Sequence, residues 1–290
     1  MHSFLKAVGF SNVKTRKDVE HLTQFAKEAA TERYVSQVDP RTARAELYYD
    51  CGNNVGVALR GEYDENGNFH TEYYFPYIRG TKITSRENVF ISRRVDTDAY
   101  TGMCEDYRIG VSLIFYLQNL TEFISRGYPE NNADCPVILS ALASEGKILL
   151  PTMSMVNAPV DAAVDPSGRM QLMEAARKGD KEAMETLTID DIDLYARINK
   201  RLKSEDIFSI VETSFVPYGS ESDNYTILGI IDEVTDFENK VTGEKLVLLE
   251  INCNNIQFPV CINRNDLIGE PKKGRRFRGN IWMQGMVEFH

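Results

Sequence analysis

The chain has no long hydrophobic run. Its most strongly apolar stretch, VSLIFYL at 111–117, is far shorter than the roughly 20 residues that a membrane-spanning helix needs. The opening sequence MHSFLKAVGF is too short, and too polar beyond Phe10, for a signal peptide. With 42% hydrophobic and 26% charged residues in 290 positions, the composition is that of an ordered protein of two domains, and no membrane partner is expected.

Paired cysteines and an excess of basic charge are also lacking. The five cysteines are odd in number and dispersed, with no Cys-x-x-Cys motif, so the sequence predicts reduced thiols and a cytoplasmic location. The formal net charge of -10 disfavours nucleic acid as a partner, because phosphate binding depends largely on lysine and arginine. An unidentified protein or small molecule is therefore the expected partner.

The usual catalytic signatures are absent. The sequence contains no Gly-x-Gly-x-x-Gly loop, no P-loop, no His-Glu-x-x-His and no Gly-x-Ser-x-Gly motif. Histidine is scarce, and His21 and His70 fall on the polar sides of a predicted helix and a predicted strand. The sequence therefore predicts no catalytic residue, no cofactor and no metal site.

The first half of the chain indicates helices packed on a mixed, mainly antiparallel sheet. Thr15 and Asp18 form a candidate capping box ahead of a helical apolar pattern, which predicts a helix over 16–31. From 45 onward the period changes to two, and Asn66-Gly67 between two alternating runs predicts a hairpin with positive φ at both turn positions. The alternate residues expected to share one face of its second strand are Phe69, Thr71, Tyr73, Phe75 and Tyr77. Further elements are predicted as strands at 88–95, 109–117 and 136–142 and as a helix at 119–126.

The second half begins with a linker. Residues 151–168 carry three prolines and no periodicity, and short helical patterns such as 188–203 follow. We therefore divide the chain into an α+β domain at 1–158, a linker and helical connector at 159–204, and a small β-barrel domain at 205–290.

The last segment indicates an OB-like barrel. The strands predicted there are 206–215, 225–236, 245–253, 256–262 and 275–289. A helical turn, NRNDLIG, precedes the last of them. Five strands and one turn of helix fit a small five-stranded barrel of the OB type, although the helix comes late for the standard order. The predicted fold class is α+β, with this barrel at the C-terminal end.

Three phrases of the sequence carry a family resemblance: MHSFLKAVGF, CEDYRIGVSLIFYLQN and GRRFRGNIWMQG. They resemble an uncharacterised bacterial protein family, a domain of unknown function. The resemblance runs over most of the chain. It implies no activity, cofactor or catalytic residue.

The loop at 93–108, RRVDTDAYTGMCEDYR, concentrates charge of both signs. Asp96 and Asp98 are candidate ligands for a hard cation, and Arg93 and Arg94 are candidates for an anionic ligand. The spacing does not fit a calcium loop, because Tyr100 occupies the next ligand position and the glycine falls one place late. A solvated loop with internal ion pairs is the interpretation that we favour.

A basic stretch at 271–285, PKKGRRFRGNIWMQG, holds the only tryptophan. In an unbroken strand Arg276, Arg278 and Trp282 point to the same side, away from the barrel interior. That face is suited either to stacking single-stranded nucleic acid or to packing, against the helices at 188–203 or a protein partner. We favour packing, because the region 206–250 is acidic and only one aromatic ring is offered.

Three function hypotheses remain open. The leading one is a cytosolic, non-catalytic protein that binds a protein or a small ligand. The alternatives are single-stranded nucleic-acid binding through the barrel, and an enzyme or metal protein that uses the 93–108 loop.

Overall fold

The computed structural model describes residues 2–37, 39, 41–94, 99–106, 108, 112–126, 135–152, 211–220 and 222–289, with 175, 180, 181 and 184. Residues Met1–Leu149 and Thr213–His290 form one compact unit, and Leu150–Glu212 form a second. The elements below all belong to the first unit.

The elements follow in chain order. A 3-10 helix at Leu5–Val8 comes first, then α1 (Arg16–Glu28), β1 (Glu32–Gln37), β2 (Ala43–Gly52), β3 (Val55–Tyr63), β4 (Phe69–Ile78), β5 (Val89–Arg93), β6 (Tyr100–Cys104), β7 (Leu113–Leu117), α2 (Leu120–Ser125) and β8 (Val137–Leu149). The C-terminal part comprises β9 (Ser214–Pro217), β10 (Asn224–Glu238), β11 (Lys245–Cys253), β12 (Ile256–Asn263), a 3-10 turn (Arg264–Asp266), β13 (Leu267–Ile268) and β14 (Arg276–Val287).

Five strands close into a barrel in the order β8, β12, β11, β10, β14 and back to β8. All neighbours are antiparallel except β8 and β12, which are parallel. When β10 is numbered as strand 1, the order of strands around the barrel is 1-2-3-5-4-1, which is the order of an OB-type barrel. Its fifth strand, β8, comes before the other four strands in the chain. The predicted α+β fold with a five-stranded barrel is confirmed, and this displaced strand explains why the helical turn comes late.

One barrel strand was assigned to the wrong segment. The predicted strand at 206–215 overlaps β9, which pairs only with β10 at the side of the barrel, whereas β8 is the strand that closes it. Because β8 precedes the predicted connector, the barrel takes strands from both sides of it. The predicted domain boundaries at 158 and 204 stay predictions, since a chain can leave a compact unit through a connector and then return to the same unit. The linker at 151–168, apart from its first two residues, and the helices at 188–203 lie outside the described residues.

The N-terminal sheet is an antiparallel meander of β1 to β4, with α1 packed on one face. The predicted capping box is confirmed: the Asp18 amide donates to the Thr15 hydroxyl, and the Thr15 amide donates to the Asp18 carboxylate. The helix ends earlier than predicted, because the Thr31 amide already donates to the Tyr48 carbonyl of β2 at 2.7 Å. Of the other predicted elements, 88–95, 109–117, 136–142 and 119–126 correspond to β5, β7, β8 and α2.

The hairpin of β3 and β4 is confirmed, with two differences from the predicted geometry. Only Gly67 takes a positive φ, of 78°, because the Asp64 carboxylate organises a longer turn by accepting from the Asn66 and Asn68 amides. A bulge at Glu72 then reverses the alternation in β4. Phe69 and Thr71 therefore lie on the α1 face, whereas the opposite face receives Tyr73, Phe75 and Tyr77.

That opposite face packs against β7, α2 and β14. The Phe75 ring lies 4.9 Å from the Tyr116 ring, and the Tyr48 hydroxyl donates to the Gln118 carbonyl at 2.8 Å. The Gln118 amide group donates to Gln284 Oε1 on β14 at 2.7 Å, and both side chains are fully buried. The N-terminal sheet and the barrel thus share a hydrophobic layer bridged by hydrogen-bonded amides.

Two facing glycines make room for the Phe277 ring inside the barrel. A Cβ atom on Gly279 would lie 2.4 Å from Phe277 Cζ and 2.7 Å from the Glu145 carbonyl oxygen, and Gly146 opposite is equally crowded. We therefore expect Gly279→Ala to lower the free energy of unfolding by about 1–3 kcal/mol through overpacking. Urea denaturation measures it, with Lys147→Ala, an exposed change on the neighbouring strand, as the control. Equal stability of Gly279→Ala and wild type would contradict this packing.

Candidate functional site

The outer face of β14 is covered by the N-terminal segment. Trp282 is only 6% exposed, and its ring lies 5.7 Å from Phe4, 4.6 Å from His2 and 5.1 Å from Tyr116. Its Nε1 donates to Asp223 Oδ2 at 2.9 Å. The alternation predicted correctly that Trp282 lies on the outer side of β14, and there its side chain packs against the protein itself.

The two arginines predicted beside Trp282 have different environments. Arg276 is 4% exposed, whereas Arg278 is exposed and lies opposite Lys147, beside a small pocket of about 180 Å³. The three predicted residues of this strand therefore share one side of β14 without forming one accessible surface.

The structure places strand β6 inside the predicted loop at 93–108, and the described part of this segment carries an internal ion pair between Asp106 and Arg108. Arg94 pairs with Asp223, the same carboxylate that accepts from Trp282, and Arg93 is exposed. Asp106 is buried and accepts hydrogen bonds from the Ser85 hydroxyl and from Arg108 Nε, each at 2.8 Å. Burial alone would raise the pKa of Asp106, but the hydrogen bonds from Arg108 and Ser85 outweigh it and lower the pKa.

The predicted cation ligands Asp96 and Asp98 lie outside the described residues. Within the described ranges, no three His, Cys, Asp or Glu side chains are grouped as metal ligands would be. None of the helices in the described part of the chain is long and apolar enough to cross a membrane.

An open groove of about 590 Å³ lies between α1 and the turn that joins β10 to β11. We call it the α1 groove. The apolar side chains that line it are Phe10, Val13, Leu22, Phe25 and Val241. Phe25 is 39% exposed and Val241 is 42% exposed, so the groove presents apolar surface to solvent from both of its sides.

The wall formed by the turn is held by the N-terminal segment. Asn239 accepts from the Val241 and Thr242 amides and donates to the Val8 carbonyl at 2.7 Å. The Thr242 hydroxyl donates to the Gly9 carbonyl at 2.7 Å. Gly9 has φ of 87°, and a Cβ atom there would lie 2.8 Å from the Asn239 Cβ, so this contact requires glycine.

Carboxylates lie at the rim of the α1 groove. Hydrogen bonds from the Lys14 and Thr15 amides lower the pKa of Asp18, which keeps its carboxylate charged at neutral pH. Glu244 accepts from the Ser11 amide and hydroxyl at 3.0 and 2.8 Å, and His21 also lines the groove. The groove therefore combines an apolar floor with a negatively charged rim.

Sequence reasoning did not identify the α1 groove. Its walls come from segments more than two hundred residues apart, and pairing across that distance leaves no local pattern. One signal was present: Phe25 belongs to the apolar stripe of α1, but the sheet buries only Leu22 and Ala26 of that stripe in the helix. Phe25 lies at its uncovered edge.

His2 provides a pH test of the cover over Trp282. Burial lowers the pKa of His2 from 6.5 to about 4. Between these values the unfolded chain binds a proton that the folded chain does not, so the free energy of unfolding falls as the pH is lowered from about 6.5 to about 4. Urea titrations at pH 7 and pH 5, followed by the emission of Trp282, measure this decrease. We expect His2→Gln to reduce it, and an unchanged pH dependence in that variant would contradict the assignment.

Comparison with known proteins gives one match. A family model described as "Domain of unknown function, E. rectale Gene description (DUF3881)" matches residues 5–285. This match confirms the resemblance to an uncharacterised bacterial family that the sequence phrases predicted. Neither the curated proteins nor the solved structures contain a match to the chain.

Proposed function

Because the chain belongs to the DUF3881 family, a family of unknown function, we propose a function from the geometry of its candidate site. The protein is a non-catalytic binding protein, and its ligand is a segment of a partner protein held in the α1 groove. The segment carries an apolar side chain for the floor and a lysine or arginine for the rim.

The exposed apolar side chains of the α1 groove are the main support for the proposal. Phe25 and Val241 both line the α1 groove, and each leaves about two fifths of its surface in solvent. Exposed apolar surface with a polar rim is typical of binding sites. The volume of about 590 Å³ also falls within the range of sites that enclose a compact ligand group.

Charge determines the chemistry of the ligand. Asp18 and Glu244 line the groove, and the whole chain carries a formal charge of -10. A cationic group is attracted to such a rim, whereas a polyanion is repelled by it. A basic and apolar peptide segment satisfies both the floor and the rim.

The position of the α1 groove on the barrel adds support. OB-type barrels bind ligands over their second and third strands and at the loop between their first two strands. Here β11 and β12 are partly covered, because Cys261 Sγ donates to the Ala7 carbonyl and Asn263 Nδ2 donates to the Lys6 carbonyl. The loop between β10 and β11 keeps an accessible side, and that side is the wall of the groove.

The five cysteines support a cytoplasmic location. All five are buried and unpaired, which suits a reducing compartment. The cytoplasmic location is part of the proposal.

Neither alternative function gains comparable support. Base stacking needs an accessible ring, and Trp282 is packed under His2 and Phe4. Nucleophilic chemistry at Cys104 is disfavoured, because burial raises the pKa of its thiol.

Selection from a random peptide library on the immobilised protein tests the proposal. We expect the enriched peptides to combine a lysine or arginine with an aromatic or aliphatic residue. Fluorescence anisotropy of one enriched peptide then compares wild type with Phe25→Ser and with Phe90→Ser, a control with 41% exposure on β5. Phe25→Ser should weaken binding by about tenfold or more, since truncating an aromatic hot-spot residue costs about 2 kcal/mol or more.

Val241→Ser and Val216→Ser form a second matched pair, because Val216 is 53% exposed on β9, outside the α1 groove. Only the first should weaken binding. Equal losses in a groove variant and its control, enrichment of acidic peptides, or no enrichment would reject the proposal.

A further inference from the structure

Several buried polar atoms without a hydrogen-bond partner belong to residues around the junction of β7 and α2. Six buried side-chain nitrogen or oxygen atoms in the described residues have no hydrogen-bond partner, and four of them belong to Arg60, Tyr116, Gln118 and Thr121. Three of these residues lie at the junction of β7 and α2. Arg60 reaches the same junction from β3, where its Nη2 donates to the Leu117 and Gln118 carbonyls at 3.3 and 3.2 Å.

These atoms are shielded from bulk solvent. Arg60 is 3% exposed, Tyr116 2%, Gln118 0% and Thr121 1%. A buried polar group without a partner costs free energy comparable to a lost hydrogen bond, so native structures nearly always satisfy such groups. Four such atoms in residues around one contact between two sheets point to polar molecules bound there.

The hydrogen-bonding capacities of the four atoms favour water. Arg60 Nη1 can only donate, Gln118 Oε1 can only accept, and the hydroxyls of Tyr116 and Thr121 can do either. Water donates two and accepts two hydrogen bonds, and a buried water typically has two to four polar partners. Burial raises the pKa of Tyr116, although the charge of Arg60 opposes this, so its hydroxyl stays protonated and available as a donor.

The charges at this contact disfavour an ion. Arg60 is already neutralised by Glu46, whose Oε1 lies 2.6 Å from Nη2 and 2.8 Å from Nε. A cation would need a carboxylate to balance its charge, and the Glu46 carboxylate is engaged by Arg60. An anion would face the side-chain oxygen Oε1 of Gln118 and the Glu46 carboxylate.

We propose that Arg60, Tyr116, Gln118 and Thr121 bind ordered water between the N-terminal sheet and the junction of β7 and α2. The water completes a contact in which Glu46 Oε2 already accepts from the Thr121 amide at 3.3 Å. The water links β3 to β7, the strand next to β14 in the sheet that contains the barrel.

Two conservative variants test the proposal in the full chain. Tyr48→Phe removes a buried hydroxyl that donates directly to the Gln118 carbonyl at 2.8 Å, and Tyr116→Phe removes one that would bond only to water. If water is bound, both variants should raise the equilibrium constant of unfolding, by about 2- to 12-fold, which is the usual range for one lost hydrogen bond. An unchanged or lowered constant for Tyr116→Phe alone, measured by urea denaturation, would overturn the proposal, because deleting an unpaired hydroxyl costs nothing.

A crystal structure of the wild type gives the direct measurement. We expect electron density within hydrogen-bonding distance of at least two of the four atoms. Crystals grown in bromide separate water from an anion, since a bound bromide gives an anomalous peak. Such a peak, or closed packing without density, would overturn the proposal.

Discussion

Strand β8 pairs along both of its edges, with β12 on one side and β14 on the other, and the rest of the first unit depends on this double pairing. Without it, β12 and β14 would each present an open row of backbone donors and acceptors, which sheet proteins avoid. Because β8 comes before Leu150–Glu212 and its partners come after that range, segments from both sides of it fold into one barrel. The position of the N-terminal sheet follows, since β7 pairs with β14 of the barrel and the opposite side of the N-terminal sheet packs against β7, α2 and β14.

This arrangement buries part of the barrel surface on which OB-type proteins commonly bind ligands. Leu142, Leu246, Cys261 and Trp282 point outward from the barrel and belong to the same hydrophobic cluster as the N-terminal sheet. Gln118 and Gln284 join across that cluster, and Gln284 Nε2 donates to the Pro76 carbonyl at 2.8 Å. The basic and aromatic strip of β14 is in part a packing surface for this reason. The α1 groove remains accessible because it lies where the cover over the barrel ends.

Local features were predictable from the sequence, and distant pairings were not. The cap at Thr15 and Asp18 depends on residues three positions apart, and the two faces of β14 depend only on alternation along one strand. The pairing of Ala141 with Val260 and of Leu142 with Trp282 joins residues more than a hundred positions apart, and no local pattern specifies it. The bulge at Glu72 has the same origin, because the contacts of Phe75 with Tyr116 decide which face β4 presents. The α1 groove was missed because its floor looked like ordinary core until its neighbours were known.

The segments before and after Leu150–Glu212 form one noncovalent unit. A specific protease site inserted between residues 160 and 166, followed by cleavage and size-exclusion chromatography without denaturant, tests this directly. Both fragments should elute together, with the Trp282 emission of the uncut protein, because Trp282 in one fragment packs on Phe4 and Tyr116 in the other. They should separate only in urea. Two folded fragments that elute apart under native conditions would show instead that each segment folds alone.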